Sequence, residues 1–125
     1  MKNESFKKIS VLIVEDEAIS LLLLCEGFSI DGFKVCATAA TGCEAVIMAL
    51  EKRPDVVIMD IGLAGEMDGL EAARRIRRDN DAAIVFTTGY NDDELRKRAE
   101  EFKPLAFLIK PVEIDELIRV IQAAF

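Results

Sequence analysis

The chain contains 125 residues, of which 51% are hydrophobic and 31% charged, and its formal net charge at pH 7 is −7. This composition is typical of one soluble globular domain and excludes an intrinsically disordered chain. The negative charge disfavours nonspecific binding to nucleic acid or to an anionic membrane surface. Because the sequence contains no histidine, a Ser-His-Asp or Cys-His nucleophile and a histidine-ligated zinc site are also excluded.

Short apolar runs alternate with segments of helical periodicity along the chain. In chain order, the apolar runs predict strands over residues 9–14, 33–37, 55–59, 82–87 and 105–109. The segments that follow them predict helices over residues 17–30, 42–53, 69–78, 92–102 and 113–124. Continuous apolar strands that alternate with helices are typical of a parallel sheet covered on both faces. The sequence therefore predicts one α/β domain with its core over about residues 9–124.

The sequence carries no sign of export or membrane insertion. The stretch MKNESFKKISVLIVEDE contains lysines, but its apolar run is short and ends in three consecutive acids, unlike a secretory signal. The longest apolar patch, LLLLC, is far too short to span a bilayer. Cys25, Cys36 and Cys43 are odd in number and lack metal-ligand spacing, which favours buried thiols of a cytoplasmic protein.

Polar side chains follow four of the five predicted strands. In an open parallel sheet, the carboxyl ends of the strands meet at one edge, and ligands bind there. We therefore expect these side chains to converge on one site. They are Glu15, Asp16 and Glu17 after the first strand, Asp60 after the third, Thr87 and Thr88 after the fourth, and Lys110 after the fifth.

The residue types at this edge indicate phosphoryl chemistry. A carboxylate such as Asp60 at the end of a buried strand is costly unless something binds it. Clustered carboxylates are relieved by a hard cation, and Mg²⁺ usually takes one or two carboxylates, waters and a phosphoryl oxygen. A lysine supplies compact positive charge for phosphate, and a carboxylate can act as a nucleophile that forms an aspartyl-phosphate.

Five motifs carry a family resemblance: VLIVEDE, DVVIMDI, MDGLEAARRIR, IVFTTGY and FLIKPV. In this order and spacing, they make the chain similar to a bacterial two-component response-regulator receiver domain of a chemotaxis-regulator-like, stand-alone or sensor-kinase-associated subtype. The resemblance covers essentially the whole chain. It implies a flavodoxin-like doubly wound (βα)5 fold whose five-stranded parallel sheet has the order 2-1-3-4-5. Residues 1–125 would then form a single receiver domain with no output domain.

The resemblance also implies roles for individual residues. Asp60 would be the phosphoacceptor, Asp16 would ligate Mg²⁺ directly, and Glu15 would do so directly or through water. The backbone carbonyl of Gly62 would be a further metal ligand.

Three further positions match the remaining parts of the family's machinery. Thr88 matches the switch threonine, Lys110 matches the phosphate-binding lysine, and Phe107 matches the aromatic switch residue. The Lys110–Pro111 bond resembles the family's cis peptide.

The resemblance implies a signalling switch rather than a metabolic enzyme. A sensor histidine kinase or phosphotransfer protein would donate a phosphoryl group from its phosphohistidine to Asp60 in the presence of Mg²⁺. The receiver would assist its own phosphotransfer and dephosphorylation. An unknown downstream protein would read the face formed by the fourth helix, fifth strand and fifth helix, which could also support a homodimer. No nucleic acid or membrane is expected as a partner of this chain.

Two other functions remain open at this point. A pseudo-receiver would bind its partner without phosphorylation, although the intact set of acids, threonine and lysine disfavours it. A Mg²⁺-dependent phosphohydrolase with an aspartyl nucleophile usually carries a second acid two residues after the nucleophile, where this sequence has Gly62.

Several of the implied site residues also have plain structural interpretations. Asp16 or Glu17 could cap the first helix. Lys110 could be a solvated lysine at a strand end, and Phe107 could be a core aromatic as well as a moving one. A cluster of arginines in the third helix is favoured as a solvated face over a partner site. These are Arg74, Arg75, Arg77 and Arg78.

The loop after Asp60 departs from the family's common pattern. The stretch GLAGEM contains no proline, and Asp68 lies eight residues after Asp60, one more than is usual in the family. The loop carries glycines at Gly62 and Gly65. We therefore expect this loop to be where the protein differs in partner or kinetics.

Overall fold

The computed structural model describes residues 8–125 and contains five strands and five helices in alternation. The strands are β1 (Ser10–Val14), β2 (Lys34–Ala39), β3 (Val56–Asp60), β4 (Ala83–Thr88) and β5 (Ala106–Ile109). The helices are α1 (Ala18–Ile30), α2 (Gly42–Lys52), α3 (Gly69–Asp79), α4 (Asp93–Glu100) and α5 (Ile114–Ala124). All ten predicted elements are present, and no boundary differs from its predicted position by more than two residues.

The strands form one parallel sheet in the order β2-β1-β3-β4-β5. The predicted flavodoxin-like α/β fold is therefore confirmed. The second strand continues two residues past its predicted end at 37, because Thr38 and Ala39 pair with Ile13 and Val14 of β1. Asp60 is the last residue of β3 and lies opposite Thr87 of β4.

The helices cover both faces of the sheet, and each face has its own apolar core. Side chains alternate along β3, so that Val57 and Met59 join one core cluster while Val56 and Ile58 join the other. Helices α2, α3 and α4 pack on the first cluster, and α1 and α5 pack on the second. Both layers leave the carboxyl ends of the strands at one edge of the sheet.

Short polar side chains fix where three of the helices begin. Thr41 Oγ1 accepts a hydrogen bond from the Glu44 amide, and the Glu44 carboxylate accepts one from the Ala40 amide, which is a capping box. Asp68 caps α3 and Asp92 caps α4 in the same way, by accepting hydrogen bonds from amides in the first turn.

The cysteines differ in part from the sequence-based expectation. Cys25 and Cys36 are half-buried free thiols, but Cys43 is exposed, so the prediction that all three are buried is wrong. The reason lies in α2, whose inward face is formed by Gly42, Ala45 and Ala49, so that Cys43 faces solvent. Burial raises the pKa of the Cys25 and Cys36 thiols.

Within residues 8–125, no helix is both long and apolar enough to cross a membrane.

Candidate functional site

Asp60, Glu15 and Lys110 meet at the carboxyl edge of the sheet. The neighbouring strands β1 and β3 end side by side, so Glu15 and Asp60 lie next to each other, and both are buried. The ammonium of Lys110, which follows β5, reaches both carboxylates. Its Nζ lies 2.9 Å from Asp60 Oδ2 and 2.9 Å from Glu15 Oε1. These short, charge-assisted contacts hold the two acids in place.

The environment of Lys110 keeps it charged. Partial burial by itself would lower the pKa of the ammonium. The hydrogen bonds and negative charges of Asp60 and Glu15 outweigh this effect, so the pKa of Lys110 lies above its ordinary value of 10.5. At neutral pH the site therefore presents a fixed positive charge directly beside the Asp60 carboxylate.

Asp16 completes a cluster of three carboxylates. One oxygen each from Glu15, Asp16 and Asp60 lies within 4.8 Å of the others, with Asp16 exposed. The single ammonium of Lys110 leaves this group of three acids with excess negative charge, which a divalent cation would neutralise. Hard oxygen donors with one solvent-facing member suit Mg²⁺, which keeps several of its waters. The residues present therefore fit a Mg²⁺ site.

The loop after Asp60 is anchored to this cluster by its backbone. The Gly62 amide donates a hydrogen bond to Asp60 Oδ1 at 2.9 Å, and the Ala64 amide donates one to Asp16 Oδ2 at 3.3 Å. The Leu63 side chain is buried, and Gly65 has a positive φ of 103°, which glycine adopts without strain. The extra residue of this loop is thus accommodated while the loop stays in contact with the acids.

The start of α3 lies directly against the backbone of Asp60. A Cβ atom added at Gly69 would lie 2.4 Å from the Asp60 carbonyl oxygen. Only a residue without a side chain fits there. Helix α3 therefore holds the backbone beneath the acids in a fixed position.

Thr88, predicted as the switch threonine, is fully buried and its hydroxyl points into the loop after β4. Its Oγ1 accepts a hydrogen bond from the Tyr90 amide at 3.2 Å. Phe107 is half-buried on β5 and packs against the same core cluster as α4. The guanidinium of Arg96 on α4 lies over its ring.

A cavity of about 360 Å³ opens beside the acids, between α1 and the start of α5. Its polar lining residues are Glu15, Glu17, Ser20, Thr87 and Lys110, and the rest of its lining is apolar. The apolar wall residues include Leu23, Leu24, Pro111, Val112 and Leu117. The Lys110–Pro111 bond at its mouth is cis. The sequence predicted the polar end of this cavity but not the cavity itself, because its walls depend on how α1 packs on α5.

The structure also tests whether the acids after β1 cap α1 and whether the arginines of α3 are simply solvated. Helix α1 follows Glu17, but no side chain caps it, so capping does not explain the acids after β1. Arg77 is not simply solvated, because it donates hydrogen bonds to the carbonyls of Ala82 at 3.0 Å and Phe102 at 2.8 Å. The exposed Arg74 and Arg75 pair with Glu71 on the same helix.

A comparison with protein families identifies the chain. The model of the response regulator receiver domain matches residues 11–122. The chain belongs to this family. The acids, the buried threonine and the lysine described above therefore lie in a receiver domain of a two-component system.

Individual relatives agree with this assignment. The receiver domain is 38% identical over 114 residues to the transcriptional regulatory protein PdtaR of Mycobacterium tuberculosis, with coverage of 91% of this chain and 55% of that protein. It is 32% identical to sporulation initiation phosphotransferase F of Bacillus subtilis, with coverage of 86% of each. The chain thus spans about half the length of the first relative and most of the second.

A solved structure shows the same fold. The signal receiver domain of a modulated diguanylate cyclase from Desulfovibrio desulfuricans superposes with a TM-score of 0.87 at 36% identity, and the match covers 94% of both chains.

Proposed function

We propose that this receiver domain accepts a phosphoryl group on Asp60 from the phosphohistidine of a partner kinase or phosphotransfer protein. The observation that supports this most directly is the pairing of a buried Asp60 carboxylate with the Lys110 ammonium, beside two further acids. The carboxylate is the nucleophile, and the lysine stabilises the charge of the transferring group. Because these 125 residues contain no histidine, the donor phosphohistidine lies outside them.

In the transfer step, an oxygen of the Asp60 carboxylate attacks the phosphorus atom. The bond between phosphorus and the donor's imidazole nitrogen breaks with its electron pair on that nitrogen. The ring leaves as neutral imidazole, because its other nitrogen already carries a proton or the departing nitrogen takes one from water. Lys110, already at hydrogen-bond distance from Asp60, moves onto a phosphoryl oxygen. The Thr88 hydroxyl turns from the Tyr90 amide to a second phosphoryl oxygen.

Glu15, Asp16 and Asp60, together with the carbonyl of Gly62, would hold Mg²⁺. When bound, this cation neutralises the acids and stabilises negative charge on the transferring group. The exposed position of Asp16 leaves the cluster open to solvent.

The surface next to the site suits an apolar partner helix. Ile19, Leu22 and Leu23 of α1 are 72%, 61% and 63% exposed, and Leu23 also lines the cavity that reaches Lys110. Exposed apolar side chains that adjoin a reaction site mark an interaction surface. We propose that the phosphodonor packs on this face of α1 while its phosphohistidine reaches Asp60.

Phosphorylation would shift the population of two arrangements of the face formed by α4, β5 and α5, which a downstream protein or a second copy of the chain would read. The domain would act in the cytoplasm as a signalling component that assists its own phosphorylation and dephosphorylation.

Intact mass measured after incubation with phosphoramidate and Mg²⁺ tests the proposal. The wild-type chain is expected to gain one phosphoryl group, and the gain should disappear in Asp60→Asn or when a chelator removes the cation. Asp81→Asn serves as a matched control, because Asp81 is exposed and far from the acids along the chain.

Two results would contradict the proposal. A phosphoryl group that persists in Asp60→Asn would place the modification elsewhere. No gain in the wild-type chain, with Mg²⁺ and either phosphoramidate or a phosphorylated kinase, would favour a pseudo-receiver that binds its partner without phosphorylation.

A further inference from the structure

Arg96 and Phe107 form a contact that the family resemblance does not account for. The guanidinium carbon of Arg96 on α4 lies 4.6 Å from the centre of the Phe107 ring on β5. Both side chains are half-buried. A cation in this position is attracted to the negative face of the ring, and the attraction grows as water is excluded. The contact therefore ties the exposed helix α4 to the strand beneath it.

Few other side chains of α4 pack against the rest of the domain. Within Asp93–Glu100, Ala99 is the one buried residue, and Leu95 is partly buried against the core. The end of the helix is held through Arg77, which donates a hydrogen bond to the Phe102 carbonyl at 2.8 Å. The beginning of α4 therefore depends largely on Leu95 and on the contact between Arg96 and Phe107.

The same end of α4 is connected to the phosphorylation site by a short segment of backbone. The Thr88 hydroxyl accepts a hydrogen bond from the Tyr90 amide, and α4 begins at Asp93. If the hydroxyl turns to a phosphoryl group on Asp60, the Tyr90 amide loses this partner. The segment that leads into α4 is then free to shift, and Arg96 shifts with it.

We infer that Arg96 is a positioning residue for Phe107, and that their contact favours the unphosphorylated arrangement of the domain. This inference rests on the proposed function, because it concerns the regulation of the same site. A contact made in one arrangement and lost in the other shifts the equilibrium by its own free energy. Arg96 therefore lowers the apparent affinity of Asp60 for a phosphoryl group without touching it.

Tyrosine fluorescence provides a direct test. Tyr90 is the only tyrosine, the chain has no tryptophan, and Tyr90 is 71% exposed in the segment that follows Thr88. Beryllofluoride, a phosphoryl mimic, is titrated in the presence of Mg²⁺ into the wild type, Arg96→Ala and Arg96→Lys. Backbone amide resonances of Gly89 and Tyr90, followed by NMR, provide a second readout.

Removal of the guanidinium should tighten the apparent affinity for beryllofluoride by about two- to five-fold, the effect of one partly exposed cation–π contact. Arg96→Lys should lie between Arg96→Ala and the wild type. Lys97→Ala is the matched control, because it removes the same charge from an exposed neighbour on the same helix. It should bind no more tightly than the wild type.

A double-mutant cycle tests whether Arg96 acts through the Phe107 ring or only stabilises the folded domain. Phe107→Leu keeps an apolar side chain but removes the ring, so adding Arg96→Ala to it should not tighten binding further. If Arg96→Ala lowers the midpoint of thermal unfolding but leaves the beryllofluoride affinity at or below that of the wild type, the inference is wrong. If the wild type neither responds to beryllofluoride nor gains mass from phosphoramidate, the proposed function itself fails.

Discussion

Helices α3 and α4 pack on the same face of the sheet, but they are attached to it very differently. Within α3, five residues are buried, and its first residue lies against the backbone of Asp60. They are Gly69, Leu70, Ala72, Ala73 and Ile76. Within α4, only Ala99 is buried. This difference in burial indicates that α3 holds the site in a fixed position, whereas α4 can shift in response to changes at the site.

The sequences of the two helices explain the difference. In α3, apolar residues recur at helical spacing and form one continuous inward face. In α4, every residue except Leu95 and Ala99 is charged, so little apolar surface is available for burial. An element with few buried contacts opens at low cost in free energy, as moving elements must.

The largest expected effect comes from a substitution that creates a cavity beneath α3. Ile76→Ala should lower the free energy of unfolding by about 3 kcal/mol, because Ile76 is buried in the core cluster. Leu95→Ala in α4 removes a similar volume from a half-buried position and should cost about 1 kcal/mol. Urea denaturation monitored by circular dichroism measures both. Equal losses would remove the contrast between the two helices.

A smaller and more local effect is expected at the cap of α4. Asp92 accepts hydrogen bonds from the amides of Glu94 at 2.9 Å and Leu95 at 3.2 Å. Asp92→Ala should therefore destabilise the first turn of α4 by about 1 kcal/mol. Amide hydrogen exchange should accelerate in α4 but not in α3. Asp93→Ala is the control, and faster exchange in both helices would show that they are not independent.

The smallest effect is expected on the outer face of α3. Hydrogen bonds from Arg74 and Arg75 lower the pKa of Glu71 to about 2. Because this value lies below the ordinary value of 4.5, any stabilisation is present above pH 4.5 and is lost as the pH falls towards 2. The Glu71 side chain is 31% exposed and its two arginine partners are about half exposed, so solvent screens both pairs.

Glu71→Gln should therefore leave the midpoint of thermal unfolding at pH 7 unchanged. An NMR titration of the Glu71 carboxyl in the wild type checks the lowered pKa separately. A clear loss of stability in the variant would mean that the exposed face of α3, and not only its buried face, anchors the helix.

Topology made the site predictable from sequence. Once the strands were predicted to be parallel, residues that follow different strands had to meet at one edge, as Glu15, Asp60 and Lys110 do. The sequence predicts the ends of the strands less closely than the site, because pairing with the neighbouring strand decides where a strand ends. Thr38 and Ala39 extend β2 for that reason.

Side-chain direction could not be predicted in the same way. The partner of the Thr88 hydroxyl depends on the path of the loop after β4, which places the Tyr90 amide beside it. The position of Arg96 over Phe107 joins a helix and a strand that are separated by a turn, so no spacing in the sequence indicates it. The hydrogen bond from Ala64 to Asp16 depends on the path of the long loop.

The two hydrogen bonds of Arg77 have a mechanical consequence for α4. They tie the carbonyls of Ala82 and Phe102 to α3, so the chain just beyond α4 is held by hydrogen bonds, whereas the beginning of α4 is held by Leu95 and the contact between Arg96 and Phe107. A helix of this length measures about 12 Å along its axis at about 1.5 Å per residue. We therefore expect any tilt of α4 to pivot near Phe102. A tilt of about 10° moves the beginning of the helix by about 2 Å, and it moves Arg96, about 9 Å from the pivot, by about 1.5 Å.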